Sequence, residues 1–225
     1  VIADNCTDNT AKIAKNSGAT VIERNDLENR GKGYALDYGL KFLENDPPNV
    51  VIFVDADSQV ENDVISQISQ EAIATNRPVQ ALYLMETPSN PTPKDRVSAF
   101  AFKVKNLVRP QGLAKFGQPC LLTGTGMAFP WSVIRSVELA SGNIVEDMKL
   151  GLDLAIAGYP PLFSPEAKVI GRLPQKEKAA TTQRTRWEHG HLQTLINYVP
   201  NLLKEAIAQK RLDLAIIGLD LAIPP

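Results

Sequence analysis

Two aspartates that lie one residue apart, Asp55 and Asp57, follow directly after the apolar run from Val50 to Val54. Two carboxylates this close repel each other, and a hard divalent cation relieves that repulsion. Mg²⁺ or Mn²⁺ takes few protein ligands at such sites and leaves coordination positions for the phosphates of a substrate. The alternative is a polar loop after a strand, but the all-apolar strand before the pair favours a site for a metal and a phosphate.

A glycine-rich segment, Asn29 to Gly33, precedes a helical pattern that extends from Gly33 to Leu43. Glycines let the backbone approach a ligand closely, and a helix N-terminus favours anions. The spacing differs from that of the Walker phosphate-binding loop. The segment therefore indicates either an anion site at the start of this helix or an ordinary glycine-rich turn.

Val145, Glu146 and Asp147 lie at the start of a predicted helix over residues 146–157. Acidic residues at a helix start are often only partners of the helix dipole. The functional alternative is a general base with a carboxylate neighbour that tunes it. These residues alone leave both interpretations open.

The segment from Gln183 to Trp187 combines an amide, arginines and an indole. On a helix, Gln183, Arg186 and Trp187 fall at positions i, i+3 and i+4, and therefore share one face. An arginine beside an exposed tryptophan can hold a phosphate while the indole offers a flat apolar platform. The alternative is a tryptophan packed in the core with the arginine over its ring. His189 and His191 follow on different helix faces, which predicts surface or core residues rather than metal ligands.

Short apolar runs alternate with helical patterns along the first two-thirds of the chain. Predicted strands cover residues 1–3, 20–23, 50–54 and 79–84, and predicted helices cover residues 7–17, 33–43, 64–75, 95–108 and 146–157. This alternation favours an α/β fold with a Rossmann-like, doubly wound and mainly parallel sheet flanked by helices. Ligands of such sheets bind beyond the carboxyl ends of the strands, which places Asp4, Asp55 and Asp57 at the functional edge.

The chain has 225 residues, of which 44% are hydrophobic, and a net charge of −1. This size suits one α/β domain with a real core, and the near-neutral charge does not point to a nucleic-acid partner. Cys6 and Cys120 give neither a disulfide framework nor a metal-binding spacing, so a reducing compartment is expected. The apolar but charge-interrupted end from Leu212 to Pro225 predicts a core helix, an interfacial helix or the approach to a membrane span.

Taken together and in order, these segments resemble glycosyltransferase family 2, and specifically its processive, membrane-associated members of the polysaccharide-synthase type. The matching elements are Asp4 with Thr7 to Thr10, Gly31-Lys32-Gly33, Asp55-Ala56-Asp57, Gly124-Thr125-Gly126, Val145-Glu146-Asp147 with Leu150-Gly151-Leu152, and Gln183 with Arg186-Trp187. The family usually carries another strand before Val1. We therefore expect a fragment that lacks this first strand and the membrane spans. Its catalytic domain would cover residues 1–190, and a C-terminal helical segment would cover residues 191–225.

The resemblance implies a GT-A fold and an inverting transfer of a sugar from a nucleoside-diphosphate sugar, with a UDP-sugar as the expected donor, to an acceptor hydroxyl. It implies donor binding by Asp4, Lys32, Asp55, Asp57 and Arg186, with Mg²⁺ or Mn²⁺ on Asp57 and Asp55. It implies an acceptor pocket formed by Gly124, Thr125, Gly126, Gln183 and Trp187, and catalysis by Asp147 as the base with Glu146 beside it. The implied acceptor is a glycan or a lipid-linked molecule, and the implied role is polysaccharide or cell-envelope glycan synthesis at the cytoplasmic face of the cell membrane.

Two other functions are compatible with parts of this pattern. A non-catalytic nucleotide-sugar-binding module of a membrane assembly would keep the fold, but it need not keep both Asp147 and the face formed by Gln183, Arg186 and Trp187. A nucleotidyltransferase would share the sheet and the metal-binding carboxylates, but it would have no evident use for a tryptophan platform. The joint presence of the base candidate and this face favours a glycosyltransferase.

Overall fold

A computed structural model describes residues 1–140, 145–172 and 177–223, apart from the side chains at 177–180, 183 and 184. The strands are β1 (Ile2–Asp4), β2 (Ile22–Arg24), β3 (Val50–Phe53), β4 (Gln59–Val60), β5 (Val79–Glu86), β6 (Met127–Pro130) and β7 (Leu162–Arg172). The helices are α1 (Thr10–Asn16), α2 (Lys32–Leu43), α3 (Val64–Thr75), α4 (Pro93–Lys103), α5 (Arg109–Lys115), α6 (Trp131–Ile134), α7 (Glu146–Ile156), α8 (Glu177–Ala208) and α9 (Leu212–Ala222). A π-helical turn, Val104–Val108, joins α4 to α5.

The strands form two sheets. β1 and β2 pair in parallel as a small sheet, and the larger sheet has the order β3-β6-β5-β7-β4. β5 and β7 pair in parallel, whereas β3 with β6, β5 with β6, and β4 with β7 are antiparallel pairs. The α/β class with flanking helices is confirmed, but the prediction of a mainly parallel sheet is wrong. The predicted alternation of strands and helices does not include β4 and β6, and both run against their neighbours.

The direction of β6 decides which loops meet at the edge of the sheet. Phe53 of β3 lies opposite Met127 of β6. Because this pair is antiparallel, the residues before Met127 lie beside the residues after Phe53. The glycine-rich segment before β6 therefore meets the two aspartates that follow β3.

Apolar side chains pack on both faces of the larger sheet. One cluster joins β3 and β6 to α2, α6 and α7, and includes Leu40, Phe53 and Phe129. A second cluster joins α3 to β5, β6 and β7 around Ile68 and Val169. Full burial of a side chain of this size contributes about 1.5–3 kcal/mol, so these clusters hold the sheet edge that carries the polar residues.

The predicted helices are largely confirmed, but two of them differ clearly in length. The helix predicted over residues 7–17 is shorter, because α1 covers only Thr10–Asn16. α3 begins and ends as predicted, at Val64 and Thr75. The helix predicted over residues 95–108 begins earlier, at Pro93, because Thr92 forms a capping box with Asp95. This helix also does not end at residue 108, since the π-helical turn carries it into α5.

Helix α2 links the two sheets. Gly39 lies directly against β1, where an added Cβ would come within 2.5 Å of Ile2 Cδ1. At its start, Gly31 has a φ of 129°, a conformation that favours glycine, and Lys32 is the first helical residue. The glycine-rich segment therefore leads into a helix as predicted.

The C-terminal helices pack on the rest of the domain. α8 continues through residue 190, so the predicted boundary between residues 190 and 191 lies within a helix and stays a prediction. Leu202, Leu214, Ile217 and Leu221 share a buried cluster with Leu152 of α7. Among the described residues, the structure contains no helix that is both long and apolar enough to cross a membrane.

Candidate active site

The ammonium group of Lys32 connects three of the predicted site segments. Lys32 Nζ donates to the carboxylate of Asp55 and, at 2.7 Å, to the carbonyl oxygen of Gly124. The side chains of Lys32 and Asp55 are about one-third exposed, at 31% and 37%. The start of α2, the end of β3 and the loop before β6 therefore meet at one solvent-accessible point.

Thr125 positions the turn that carries the aspartates. Its side chain is fully buried, its Oγ1 accepts the backbone N–H of Asp55 at 3.1 Å, and its hydroxyl donates to Ser58 Oγ at 3.1 Å. The resemblance implies that Thr125 lines an acceptor pocket. That role stays a prediction; the structure shows that its hydroxyl lies beneath the turn of Asp55 and Asp57, where it fixes the backbone of Asp55.

Gln80 holds the glycine-rich loop from the opposite side. This side chain is 2% exposed, and its Oε1 accepts the backbone N–H of Thr123 at 2.9 Å. Its Nε2 donates to the carbonyl oxygens of Thr125, at 3.0 Å, and Ala81, at 2.8 Å. The sequence patterns do not single out Gln80. A lone amide within the apolar run of β5 is nevertheless a visible signal, because a buried polar side chain needs hydrogen-bond partners.

Gly124 and Gly126 of this loop are each needed for a different structural reason. Gly126 has a φ of 65°, and an added Cβ would lie 2.8 Å from Val169 Cγ2. Gly124 has a φ of 92°, and an added Cβ would lie 3.2 Å from Asp147 Oδ2 and 3.8 Å from Lys32 Nζ. A side chain at residue 126 would therefore disturb the sheet, whereas a side chain at residue 124 would enter the site itself.

Asp147, in the first turn of α7, completes this junction. Burial raises the pKa of its carboxyl. The backbone N–H of Met148 and the cations Lys32 and Lys105 oppose that rise. The predicted base therefore lies partly buried beside Gly124, with two ammonium groups favouring its ionised form.

Glu146 precedes Asp147 in the same turn. Burial, followed by the negative charge of Asp147, raises the pKa of Glu146 to about 7, while its own backbone N–H and Lys32 act in the opposite direction. A carboxyl group with a pKa near neutral pH can hold or release a proton under physiological conditions. The pair therefore places a carboxyl group with a raised pKa, Asp147, beside one that titrates near neutral pH, Glu146, at the same helix start.

Asp55 and Asp57 share a tight turn, because the backbone N–H of Ser58 donates to the carbonyl oxygen of Asp55 at 3.0 Å. Asp57 is exposed. The two carboxylates suit a hard divalent cation that takes its remaining oxygens from a diphosphate and water. Within the described residues, no group of three or more His, Cys, Asp or Glu side chains could hold a metal ion.

Asp4 lies at the end of β1, in the small sheet. Its Oδ1 accepts from Arg24 Nη1 at 2.7 Å and from Asn5 Nδ2 at 3.2 Å. The nearly buried Arg24 also donates to Asp26 Oδ2 at 2.9 Å, and its guanidinium lies 5.9 Å from the ring centroid of Tyr34. Arg24 therefore orients the carboxylate that the resemblance assigns to the donor, and the sequence patterns do not single it out.

Aromatic rings connect Trp187 to the aspartates. The ring of Trp187 lies 6.3 Å from that of Phe102, which meets Tyr83 edge-on at 5.2 Å. Burial raises the pKa of Tyr83 well above its usual value, and the charges of Asp55 and Asp57 raise it further. The predicted platform is therefore part of an aromatic row that ends near the two carboxylates.

The other residues of the segment from Gln183 to Trp187, and the two histidines after it, differ in their exposure. Arg186 and His189 are exposed, whereas His191 is buried, in line with the predicted surface and core positions of the histidines. The backbone of Gln183 lies in α8, and its side chain lies outside the described part of the chain. The structure thus brings Lys32, Asp55, Gly124 and Asp147 together, and leaves Arg186 at the surface.

Two solved structures share this architecture. A mannosyltransferase from Pyrobaculum calidifontis, in complex with GDP-Man and Mn²⁺, matches with a TM-score of 0.59 and 14% identity, over 99% of this chain and 59% of its own. Glucosyl-3-phosphoglycerate synthase from Mycobacterium tuberculosis, in complex with Mn²⁺ and UDP-glucose, matches with a TM-score of 0.53 and 19% identity, over 86% of this chain and 66% of its own. At these identities the likeness shows the fold, which is the GT-A fold that the resemblance implied.

The sequence comparisons agree with this fold. No curated protein sequence matches the chain. The profile of glycosyl transferase family group 2, however, matches residues 50–219, which include the aspartates after β3, the start of α7 and all of α8. The chain therefore belongs to glycosyl transferase family group 2.

Proposed function

We propose that this chain transfers a sugar from a nucleoside-diphosphate sugar to an acceptor hydroxyl with inversion at the anomeric carbon. The observation that carries this proposal is the junction at Gly124, where Lys32, Asp55 and Asp147 meet. A phosphate-binding cation, a metal-binding carboxylate and a base candidate then lie around one accessible point, as a displacement of a diphosphate requires.

Asp147 acts as the general base in this proposal. It takes the proton of the acceptor hydroxyl as the hydroxyl oxygen attacks the anomeric carbon. The bond to the diphosphate breaks on the opposite face, and the leaving oxygen keeps the electron pair. A positioned carboxylate contributes about 10²–10⁴-fold to such a step. Glu146 remains beside the base and tunes its charge.

Asp55 and Asp57 hold the donor side. They would bind Mg²⁺ or Mn²⁺ together with the diphosphate, and the cation would stabilise the charge on the leaving group. Lys32 and Arg186 would add positive charge there, and Asp4 would contact the base or ribose. The similar structures hold GDP-Man or UDP-glucose with Mn²⁺, which supports a nucleoside-diphosphate hexose as donor, and a UDP-sugar is our first candidate.

A product assay with a panel of nucleotide sugars tests the reaction class. Release of a nucleoside diphosphate with a new glycoside supports the proposal. Release of pyrophosphate would identify a nucleotidyltransferase, and donor binding without turnover would identify a non-catalytic binding module.

The Asp147→Asn variant should lose transfer by about 10²–10⁴-fold and keep donor affinity, because the base acts only on the acceptor. An equal loss of donor binding in calorimetry would reject this role of Asp147.

The Asp57→Ala variant tests the donor side separately. It should lose the part of the donor affinity that depends on added Mn²⁺, whereas the exposed Asp46→Asn variant should bind donor like the parent protein. Both affinities are measured by calorimetry with and without Mn²⁺. If Mn²⁺ leaves donor binding by the parent protein unchanged, the assignment of the metal to Asp55 and Asp57 is wrong.

We also propose that the domain works at the cytoplasmic face of the cell membrane, on a glycan or lipid-linked acceptor in polysaccharide or cell-envelope glycan synthesis. In support, Val97, Phe100 and Val108 are exposed along α4 and the π-helical turn, at i, i+3 and i+11. The exposed Arg96 and Lys103 lie on the same helix. A basic helix with an apolar stripe suits an anionic lipid surface. Sedimentation with vesicles that contain anionic lipid should therefore carry the parent protein, and the variant with Val97→Asp and Phe100→Asp should stay in solution.

A further inference from the structure

Helix α8 and the helix from α4 to α5 face each other beyond the aromatic platform. Trp187 and His191 lie at i and i+4 on α8, so they share a face. Phe102 and Lys105 lie at i and i+3 on the opposing helix, and Phe102 meets Trp187 with ring centroids 6.3 Å apart. Lys105 and His191 therefore each lie about one helical turn from the contact between Phe102 and Trp187, on the face of their own helix that carries the aromatic residue.

The two ring nitrogens of His191 are buried and unpaired within the described residues. The residue is 2% exposed, and neither Nδ1 nor Nε2 has a hydrogen-bond partner within the described residues. Burial lowers the pKa of the His191 ring, and a main-chain group of Leu221 opposes this shift. A buried polar group without a partner costs about 1–3 kcal/mol. A ligand atom that forms a hydrogen bond with a ring nitrogen would therefore stabilise this side chain.

Lys105 is the second donor without an acceptor. It lies in the π-helical turn, and such turns are frequent at functional sites. The residue is half-buried, its Nζ has neither a hydrogen bond nor an ion pair within the described residues, and burial lowers its pKa. A desolvated ammonium group is stabilised only when an acceptor or an anion compensates its charge.

The other charged groups around Lys105 do not provide that compensation. Arg109 is held by Asp220, with Nη2 2.7 Å and Nε 3.0 Å from Asp220 Oδ1. Asp147 is close enough to favour the ammonium form of Lys105 but makes no ion pair with it. Like burial, the charge of Lys105 lowers the pKa of His191.

We propose that Lys105 and His191 bind an anionic group, a phosphate or a carboxylate, on the acceptor molecule. The inference rests on the proposed function, because it assigns this group to the acceptor that Asp147 deprotonates. An acceptor lying on Trp187 would present its hydroxyl to Asp147 and its anionic group to Lys105 and His191. The acceptor is then an anionic sugar or lipid phosphate, or a uronic-acid glycan, and its charge contributes to selection.

Nitrogen NMR of the histidine rings tests the site directly. The chain has only two histidines, so His189, which is exposed, serves as an internal control for His191. In the parent protein, inorganic phosphate should shift the His191 ring resonances in a saturable way and leave those of His189 nearly unchanged. In the Lys105→Gln variant the phosphate Kd should rise about tenfold, the loss expected for one charged hydrogen bond. The Lys103→Gln variant, at an exposed position of the same helix, should bind phosphate like the parent.

Two further ligands separate the sources of the anion. Glucose 6-phosphate and a lipid monophosphate in detergent micelles should be compared with glucose, which carries no anionic group. A His191 response to the sugar phosphate supports a soluble acceptor, and a response to the lipid monophosphate alone supports a membrane acceptor. If His191 responds to no anion, or responds with unchanged affinity in the Lys105→Gln variant, the proposal is wrong. Because this readout needs no donor sugar, its failure is distinct from a failure of the transfer assay.

Discussion

The raised pKa of Glu146 predicts that this residue destabilises the folded domain at neutral and alkaline pH. Its carboxyl group ionises near 4.5 in an unfolded chain and at about 7 in the fold. Below pH 4.5 both states are protonated and the residue has no effect. As the pH rises from 4.5 to about 7, the unfolded chain loses its proton first, so the free energy of unfolding falls. Above pH 7 the loss is constant.

The size of this loss follows from the two pKa values. At 1.36 kcal/mol for each pKa unit, the upper limit is about 3.4 kcal/mol, with about 0.8 kcal/mol lost by pH 5 and about 3.3 kcal/mol by pH 8. Because Glu146 is only partly buried, solvent screening reduces these figures, and we expect a loss of about 1–3 kcal/mol at pH 8. The Glu146→Gln variant keeps the shape of the side chain and removes the titration.

Urea denaturation followed by circular dichroism at pH 5 and pH 8 measures the effect. The Glu146→Gln variant should gain about 1–3 kcal/mol in free energy of unfolding at pH 8 and much less at pH 5. Glu138→Gln, at an exposed position, should change stability equally little at both pH values. A gain for Glu146→Gln that is the same at pH 5 and pH 8, or a loss at pH 8, would refute the proposed effect of burial and of Asp147 on this carboxyl group.

Two further variants test the supports of the site by urea denaturation. Thr125→Val removes a hydroxyl that both accepts and donates a hydrogen bond, and it should lower the free energy of unfolding by about 1–3 kcal/mol. Thr123→Val should be neutral or stabilising, because the buried Thr123 Oγ1 has no partner in the described chain. Equal losses of stability for the two variants would contradict this account. Gly126→Ala should cost about 2–4 kcal/mol, because its φ is 65° and the new Cβ would meet Val169 at 2.8 Å. Gly112→Ala, in helix α5 with open space around it, should be neutral or slightly stabilising, and a comparable loss there would show that steric contact is not the cause.

The local features of the site could be predicted because they depend on neighbouring residues. The apolar run before Asp55, the glycines before Lys32 and the periodicity after Glu146 are short-range patterns, and the structure confirms the strand and both helix starts. The order of these segments was also sufficient for the family resemblance. Helix ends shifted where capping decided them, as with the capping box at Thr92.

The contacts between segments could not be predicted in the same way. Lys32 meets Gly124 across 92 positions of sequence, and this contact depends on β6 running antiparallel to β3. Neither strand's own residues specify that direction. The internal partners Gln80 and Arg24 were missed for the same reason, since a lone polar residue shows its role only when its acceptors are in place.

By itself, the sequence determined which side chains have the chemistry for metal, phosphate and proton transfer, and which strand or helix end carries each of them. Only the tertiary structure decided that Asp55, Lys32 and Asp147 share one point at Gly124, and that the ring nitrogens of His191 are buried without a partner in the described part of the chain. The physical reason is that side-chain chemistry and helix starts are local properties. Charge compensation and burial, in contrast, depend on which distant segments the core brings together.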